Sequence, residues 1–199
     1  SLTLILGNQA DKVQVLDSLG QSGAEVSIET RGGDDEIRIV DEDVLVNDLV
    51  AAVKIDGGHG SDDLYLDDSG DTADNTGVLT GSWITGLGMA SGVEYHNLED
   101  LIIELGTGSD TFTINGTHAG TTSVSTIAGD DVVTINDVNG VLTVTSGAGA
   151  DQFNVTGTSL GSTSMLSGDA DDDTFNIGSL APTLVNGIVD AIDGLVAVD

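Results

Sequence analysis

An aspartate followed by two alternating apolar residues, Asp-x-apolar-x-apolar, recurs seven times along this chain. The copies start at Asp11 (Val13, Val15), Asp35 (Ile37, Ile39), Asp62 (Leu64, Leu66), Asp110 (Phe112, Ile114), Asp131 (Val133, Ile135), Asp151 (Phe153, Val155) and Asp173 (Phe175, Ile177). Successive starts are 24, 27, 48, 21, 20 and 22 residues apart. The long gap divides at Ser91-Gly92-Val93-Glu94-Tyr95, which keeps the apolar pair and puts serine in place of the aspartate. Alternation sets both apolar residues of a copy on one strand face. A short strand returning at fixed phase every 20 to 29 residues is the mark of a solenoid.

A second strand precedes each corner. Leu2 and Leu4 run into Gly7-Asn8-Gln9-Ala10-Asp11, Val26 and Ile28 into Arg31-Gly32-Gly33-Asp34-Asp35, and Leu101, Ile103 and Leu105 into the Asp110 corner. Two or three strands per coil predict an all-β chain, a right-handed parallel β-helix or β-roll-like solenoid of about eight coils. Residues 1–199 form a single domain on this reading. Residues 43–55 fit one extended side of a coil or a short amphipathic helix, and the coil is preferred. In the irregular stretch 67–90, the acidic Asp67–Asn75 segment is a loop or a second cation site, and Trp83, Ile84, Leu87 and Met89 cover part of the core.

The two ends of the chain repeat one another. Leu2–Val15 aligns without gaps on Leu142–Val155, and Leu49–Asp56 resembles Leu184–Asp199 in composition and phase. This implies a superrepeat of about 140 residues, one copy over 1–141 and part of the next over 142–199. A long tandem parent follows from it.

Charge narrows the partners. Thirty-four acids face four bases, a formal net charge of −30, and no base follows Lys54. Such a chain repels nucleic acid and anionic membrane, and no membrane-inserting run is present. It calls for cations instead. Aromatics make up only 3% of the residues, so the core is built from Val, Ile and Leu. Cysteine is absent, so no disulfide framework bears on compartment.

The corners carry the candidate chemistry. Gly57-Gly58-His59-Gly60-Ser61-Asp62-Asp63-Leu64 matches G-G-x-G-x-D-x-apolar in full. Gly106/Gly108/Asp110 and Gly147/Gly149/Asp151 retain G-x-G-x-D. Gly33/Asp35, Gly129/Asp131 and Gly7/Asp11 retain one glycine each, and Asp169/Asp171/Asp173 has acids in place of the glycines. The motif resembles the calcium-binding nonapeptide of RTX (repeats-in-toxin) proteins, whose fold is a parallel β-roll. That resemblance implies Ca2+ held between the corners of adjacent coils, with Gly58, Gly60 and Asp62 and their counterparts as the metal-binding set. RTX rolls carry the motif on both edges of an approximately 18-residue turn. Here it occurs once per coil, so one edge alone is expected to bind metal, along a single line interrupted at Ser91.

The expected function is a calcium-binding structural repeat module, a stalk, fibre or adhesin-like segment of a large extracellular or cell-surface bacterial protein. Its partners are calcium ions, neighbouring repeats of the same chain, or further copies stacked end to end. The alternative is a β-helix that degrades or binds polysaccharide. Enzymes acting on acidic polysaccharides need bases to neutralise the substrate, and this chain has none beyond Lys54. A non-enzymatic role is therefore expected. His59, His96 and His118 lack the spacing of a zinc set.

Overall fold

Strict alternation over four or five residues, bounded by Gly- and Asp-rich corners, makes short strands that bury one face. The computed structural model describes residues 1–16, 23–40, 43–183, 188 and 191–199, and no α-helix occurs among them. The first three coils are β1 (Leu2–Ile5) and β2 (Lys12–Val15), β3 (Glu25–Glu29) and β4 (Glu36–Ile39), and β5 (Ala52–Asp56) and β6 (Asp63–Asp67). An irregular portion follows, with β7 (Thr76–Leu79), β8 (Trp83–Gly86), β9 (Val93–His96) and β10 (Asp100–Glu104). Regular coils then resume with β11 (Thr111–Ile114) and β12 (Thr121–Ser125), and β13 (Val132–Ile135) and β14 (Val141–Thr145). The last two are β15 (Gln152–Val155) and β16 (Thr163–Ser167), and β17 (Thr174–Ile177) and β18 (Leu195–Val198).

The chain alternates between two sheets and so winds a parallel β-solenoid. One sheet has ten strands in the order β1-β3-β5-β9-β8-β7-β11-β13-β15-β17. The other has eight, β18-β16-β14-β12-β10-β6-β4-β2, which makes seven steps along the axis. Among the described residues all strand pairings are parallel except two, β7 with β8 and β8 with β9. Here the chain makes a three-stranded meander within the larger sheet. It leaves β6 for β7, doubles back through β8, and returns in β9 to lie beside β5.

Thirteen of the sixteen paired apolar residues predicted to face inward are buried. Val13, Phe175 and Ile177, the other three, lie in the end coils. Phe153 stacks on Phe175 with ring centroids 4.7 Å apart and planes 6° from parallel. Stretch 43–55 holds no helix, but it is extended only from Ala52, with turns before that; it buries Val46, Leu49, Ala51, Val53 and Ile55. Ile84, Leu87 and Met89 also join the core. On the outer faces the bases pair between coils, Lys12 with Glu36 (2.6 Å) and Lys54 with Glu25 and Glu94 (3.2 and 3.6 Å). The Arg38 guanidinium lies 4.0 Å above the Tyr65 ring.

Two findings differ from the sequence reading. Ser91 is not a degenerate corner position: it lies two residues before β9, the strand beside β5, and its hydroxyl donates to the Val50 carbonyl (3.3 Å). The internal repeat also changes sides. Leu2–Ile5 lies in the ten-stranded sheet, whereas its aligned copy falls within β14 in the eight-stranded one; β2 and its copy β15 are exchanged likewise. The six-residue aspartate corners change edge across the meander. Of the Leu184–Asp199 copy, residues 184–187, 189 and 190 lie outside the described residues.

Candidate functional site: two carboxylate ladders

Every aspartate corner spans six residues, and its last residue turns its carboxylate inward. Asp35, Asp62, Asp110, Asp131 and Asp151 are each at most 2% exposed. One oxygen of each has a defined task, because the backbone N–H of the corner aspartate in one coil donates to the carboxylate of the next. The first ladder runs Asp11 N to Asp35 Oδ1 (2.7 Å), Asp35 N to Asp62 Oδ1 (3.0 Å) and Asp62 N to Glu99 Oε2 (2.8 Å). The second runs Asn75 N to Asp110 Oδ1 (2.8 Å), Asp110 N to Asp131 (2.7 Å), Asp131 N to Asp151 (2.8 Å) and Asp151 N to Asp173 (3.0 Å). A buried N–H without an acceptor is costly, so the aspartate has a structural role at each corner.

The ladders lie on opposite edges, which corrects the single interrupted line read from the sequence. Asp11, Asp35 and Asp62 lead from the ten-stranded into the eight-stranded sheet, and Asp110, Asp131, Asp151 and Asp173 lead the other way. The five aspartate pairs of adjacent coils do come together as expected. What separates the two groups is the meander.

Three ladder members escaped the sequence pattern. Glu99 ends the first ladder from a corner of three residues, where its longer side chain supplies the reach. Asn75 begins the second, followed by Gly77 where an apolar residue was sought. A Cβ at Gly77 would meet the Phe112 ring at 2.7 Å, so that ring fills the place of the absent side chain. Asp68 opens the same corner, fully buried, and accepts the Val46 N–H at 2.9 Å. It belongs to the Asp67–Asn75 segment expected to be a loop or a second cation site, and it anchors the irregular 43–51 stretch as the other aspartates anchor regular coils. Asp71 in turn accepts from Ala73 N (2.8 Å) and Asn75 Nδ2 (2.7 Å).

The corner backbone explains the glycines. Its fourth residue has positive φ at Gly33, Gly60, Gly129 and Gly149 (119° to 140°). A Cβ at Gly60 would strike the Gly33 carbonyl, and one at Gly149 the Gly129 carbonyl. Asp169 and Asp171 hold the same kind of turn at φ 62° and 80°, so the acid-for-glycine corner is not unfolded. Gly7 meets nothing within 4 Å, and Gly106 and Gly108 are not in the positive-φ region. Gly58 (φ 88°) and Gly147 (φ 89°) occupy the second position, where Arg31 and Ile127 adopt φ 69° without the freedom of glycine. Gly149→Ala should therefore lower stability by roughly 2–4 kcal/mol, through collision and strain together. Gly7→Ala should stay within about 1 kcal/mol. Urea melts of the two variants check this contrast.

The second carboxylate oxygen is the open chemical question. Oδ2 of Asp35, Asp62, Asp68, Asp110, Asp131 and Asp151 is buried and has no hydrogen-bond partner. Burial pushes Asp62 and Asp131 up to about 6 and Asp68 up to about 7, and raises Asp110 as well. The Thr126 hydroxyl offsets part of the rise at Asp131, although it donates to the Ser146 carbonyl at 3.1 Å. A bare anionic oxygen in such a place invites a proton or a cation. Oxygen donors fit a hard cation such as Ca2+. Among the described residues no three acidic, histidine or cysteine side chains gather around one point. An ion here would thus take one or two ladder oxygens and complete its shell with backbone carbonyls and water.

A separate cleft between Tyr95, His96, Glu99 and His118 contains one carboxylate, already committed to the Asp62 N–H. Its His118 ring packs edge-on against Tyr95, with centroids 6.0 Å apart. No protein-family model matches the chain, and comparison with curated proteins and with solved structures returned no match.

Proposed function

We propose that the chain is a calcium-stiffened structural module, a segment of a long repetitive bacterial protein that works outside the cell. The observation that carries this reading is the set of buried, unpartnered aspartate oxygens at successive corners of both edges. These aspartates are among the 34 acids that give the molecule its net charge of −30. Neighbouring carboxylates one strand spacing apart, about 4.8 Å, repel by on the order of 3 kcal/mol at an effective dielectric near 20. A divalent ion between corners converts that repulsion into attraction. Binding to the folded form then adds stability by mass action. The full G-G-x-G-x-D-x-apolar match at Gly57–Leu64 supports calcium as the ion, and oxygen-only donors favour it over zinc.

The residues that would hold the ion are Asp35, Asp62, Asp110, Asp131 and Asp151, with Asp11 and Asp173 at the ladder ends. Corner carbonyls beside Gly33, Gly60, Gly129 and Gly149 would complete the shell. The chain's own contribution is to hold these oxygens in register, because each Oδ1 is fixed by an N–H from the coil below. Stiffening follows: each ion ties two coils, and the ladder transmits that tie along the edge.

Calorimetric titration with calcium tests the reading. Saturable uptake of several ions per chain is expected, reduced in Asp62→Asn and Asp131→Asn. Absence of heat and of any melting shift at millimolar calcium would leave the corners as turns held by hydrogen bonds alone.

A further inference from the structure

Two Asn-Gly pairs stand in successive coils. Asn115-Gly116 opens the connection from β11 to β12, and Asn139-Gly140 closes the connection from β13 to β14. Both asparagines are exposed. In such a pair the following backbone nitrogen can reach the asparagine side-chain carbon, because glycine has no Cβ to obstruct the approach. The fold treats the two pairs in opposite ways.

At Asn139-Gly140 the reacting groups are tied down. The Gly140 N–H donates to Thr117 Oγ1 (3.3 Å), the Asn139 N–H donates to the same oxygen (3.0 Å), and Asn139 Nδ2 donates to the Thr117 carbonyl (3.1 Å). At Asn115-Gly116 they are not. The Gly116 N–H has no acceptor among the described residues, although Gly116 is buried. A Cβ on Gly116 would meet nothing closer than 3.8 Å, so the space around it is open. The Asn115 N–H, bonded to the Leu79 carbonyl (2.8 Å), holds the residue at the end of β11. Its Oδ1 accepts from Asn136 Nδ2 (2.8 Å), and Asn136 Oδ1 accepts in turn from the Thr156 hydroxyl (2.7 Å).

We propose that Asn115 is a site of spontaneous covalent modification, in which the Gly116 nitrogen attacks Asn115 Cγ and the amide is lost. A bond forms between the Gly116 nitrogen and Cγ, the Cγ–Nδ2 bond breaks, and ammonia leaves with the hydrogen given up by Gly116. Water then opens the cyclic imide. Cleavage at Cγ gives aspartate, and cleavage at the main-chain carbonyl gives isoaspartate. Negative charge develops on Oδ1 during the attack, where Asn136 already places a donor. Ring closure also consumes a buried N–H that lacks a partner, which is a costly group to keep. Either product puts a carboxylate beside Asn136. Isoaspartate also lengthens the backbone ahead of Thr117, the residue to which Asn139 and Gly140 are bonded. Reaction in one coil thereby loosens the connection of the next. The site lies on the edge opposite the second ladder and does not rest on calcium.

The test follows both pairs in one sample. Proteolysis before aspartate separates them, Asn115 in fragment 110–129 and Asn139 in fragment 137–150. Mass spectrometry of folded protein held at pH 8 should find Asn115 converting at least about tenfold faster than Asn139, which must first release its hydrogen bonds to Thr117. The gap should close in urea. Thr117→Val should speed conversion at Asn139, and Asn136→Ala should slow it at Asn115 by about threefold or more. Asn139 keeping pace with Asn115 in the folded protein would overturn the proposal. So would an equal gap in urea, which would assign the difference to local sequence. An unchanged Asn115 rate in Asn136→Ala would overturn the part given to that donor, and an unchanged Asn139 rate in Thr117→Val would overturn the protection given to Thr117.

Discussion

In chelator, the protein should melt at a higher temperature at pH 5 than at pH 8, the reverse of ordinary acid denaturation. The sign follows from the buried ladder. A carboxyl group whose folded pKa is raised holds its proton more tightly when folded, so the native state binds more protons than the unfolded chain. The contribution is fully present below the unfolded value of about 3.9. It is lost as pH rises through about 6 for Asp62 and Asp131 and about 7 for Asp68. Stability therefore falls across that window. Discharging other acids of a −30 chain pushes in the same direction. With several groups contributing, the difference should reach roughly 10 °C, given about 2–4 °C per kcal/mol for a chain of this length. Saturating calcium should raise the pH 8 melting temperature most, because an ion replaces the proton at the same oxygens. Thermal melts at both pH values, with chelator and with calcium, measure all four corners of this cycle. A melting temperature in chelator that drops on going from pH 8 to pH 5 would sink the account.

The second large effect separates the two oxygens of one carboxylate. Asp131→Asn keeps an acceptor for the Asp110 N–H and removes a buried charge, so in chelator at pH 8 it should be at least as stable as the parent protein. Asp131→Ala leaves that N–H buried without a partner and should be about 1–3 kcal/mol less stable than the Asn variant. Both substitutions should blunt the response to calcium. Chemical melts in chelator isolate the hydrogen-bond part, and repeating them in calcium isolates the ion part. Equal stability of the Ala and Asn variants would mean that the ladder does not hold the corners in place.

The strands were legible because period-two alternation is a local signal: Val133 and Ile135, or Leu64 and Leu66, announce their buried face within four residues. The corner aspartates were legible for the same reason, since each stands two residues before its first inward side chain. Their hydrogen bonds were not, because the acceptor for Asp110 N lies 21 residues away and only stacking brings it near. Asn75 and Gly77 hid the start of the second ladder, as an amide replaced the acid and the Phe112 ring replaced a side chain. Glu99 hid the end of the first. The 48-residue gap after Asp62 looked like one coil with a lost aspartate. It holds a meander instead, and antiparallel pairing inside a parallel sheet leaves no mark in the alternation itself. The anchoring role of Asp68 was hidden because its partner, Val46, belongs to a stretch without repeat.

The meander also has a mechanical consequence. Ten strands stand on one face and eight on the other, a mismatch of two spacings, or roughly 10 Å. The facing sheets of such a core are themselves only about 10 Å apart. A difference in height comparable to the thickness forces the rod to bend toward its eight-stranded face where β7 and β8 are inserted. Small-angle scattering should find a shorter end-to-end length than that of a straight solenoid with the same number of steps.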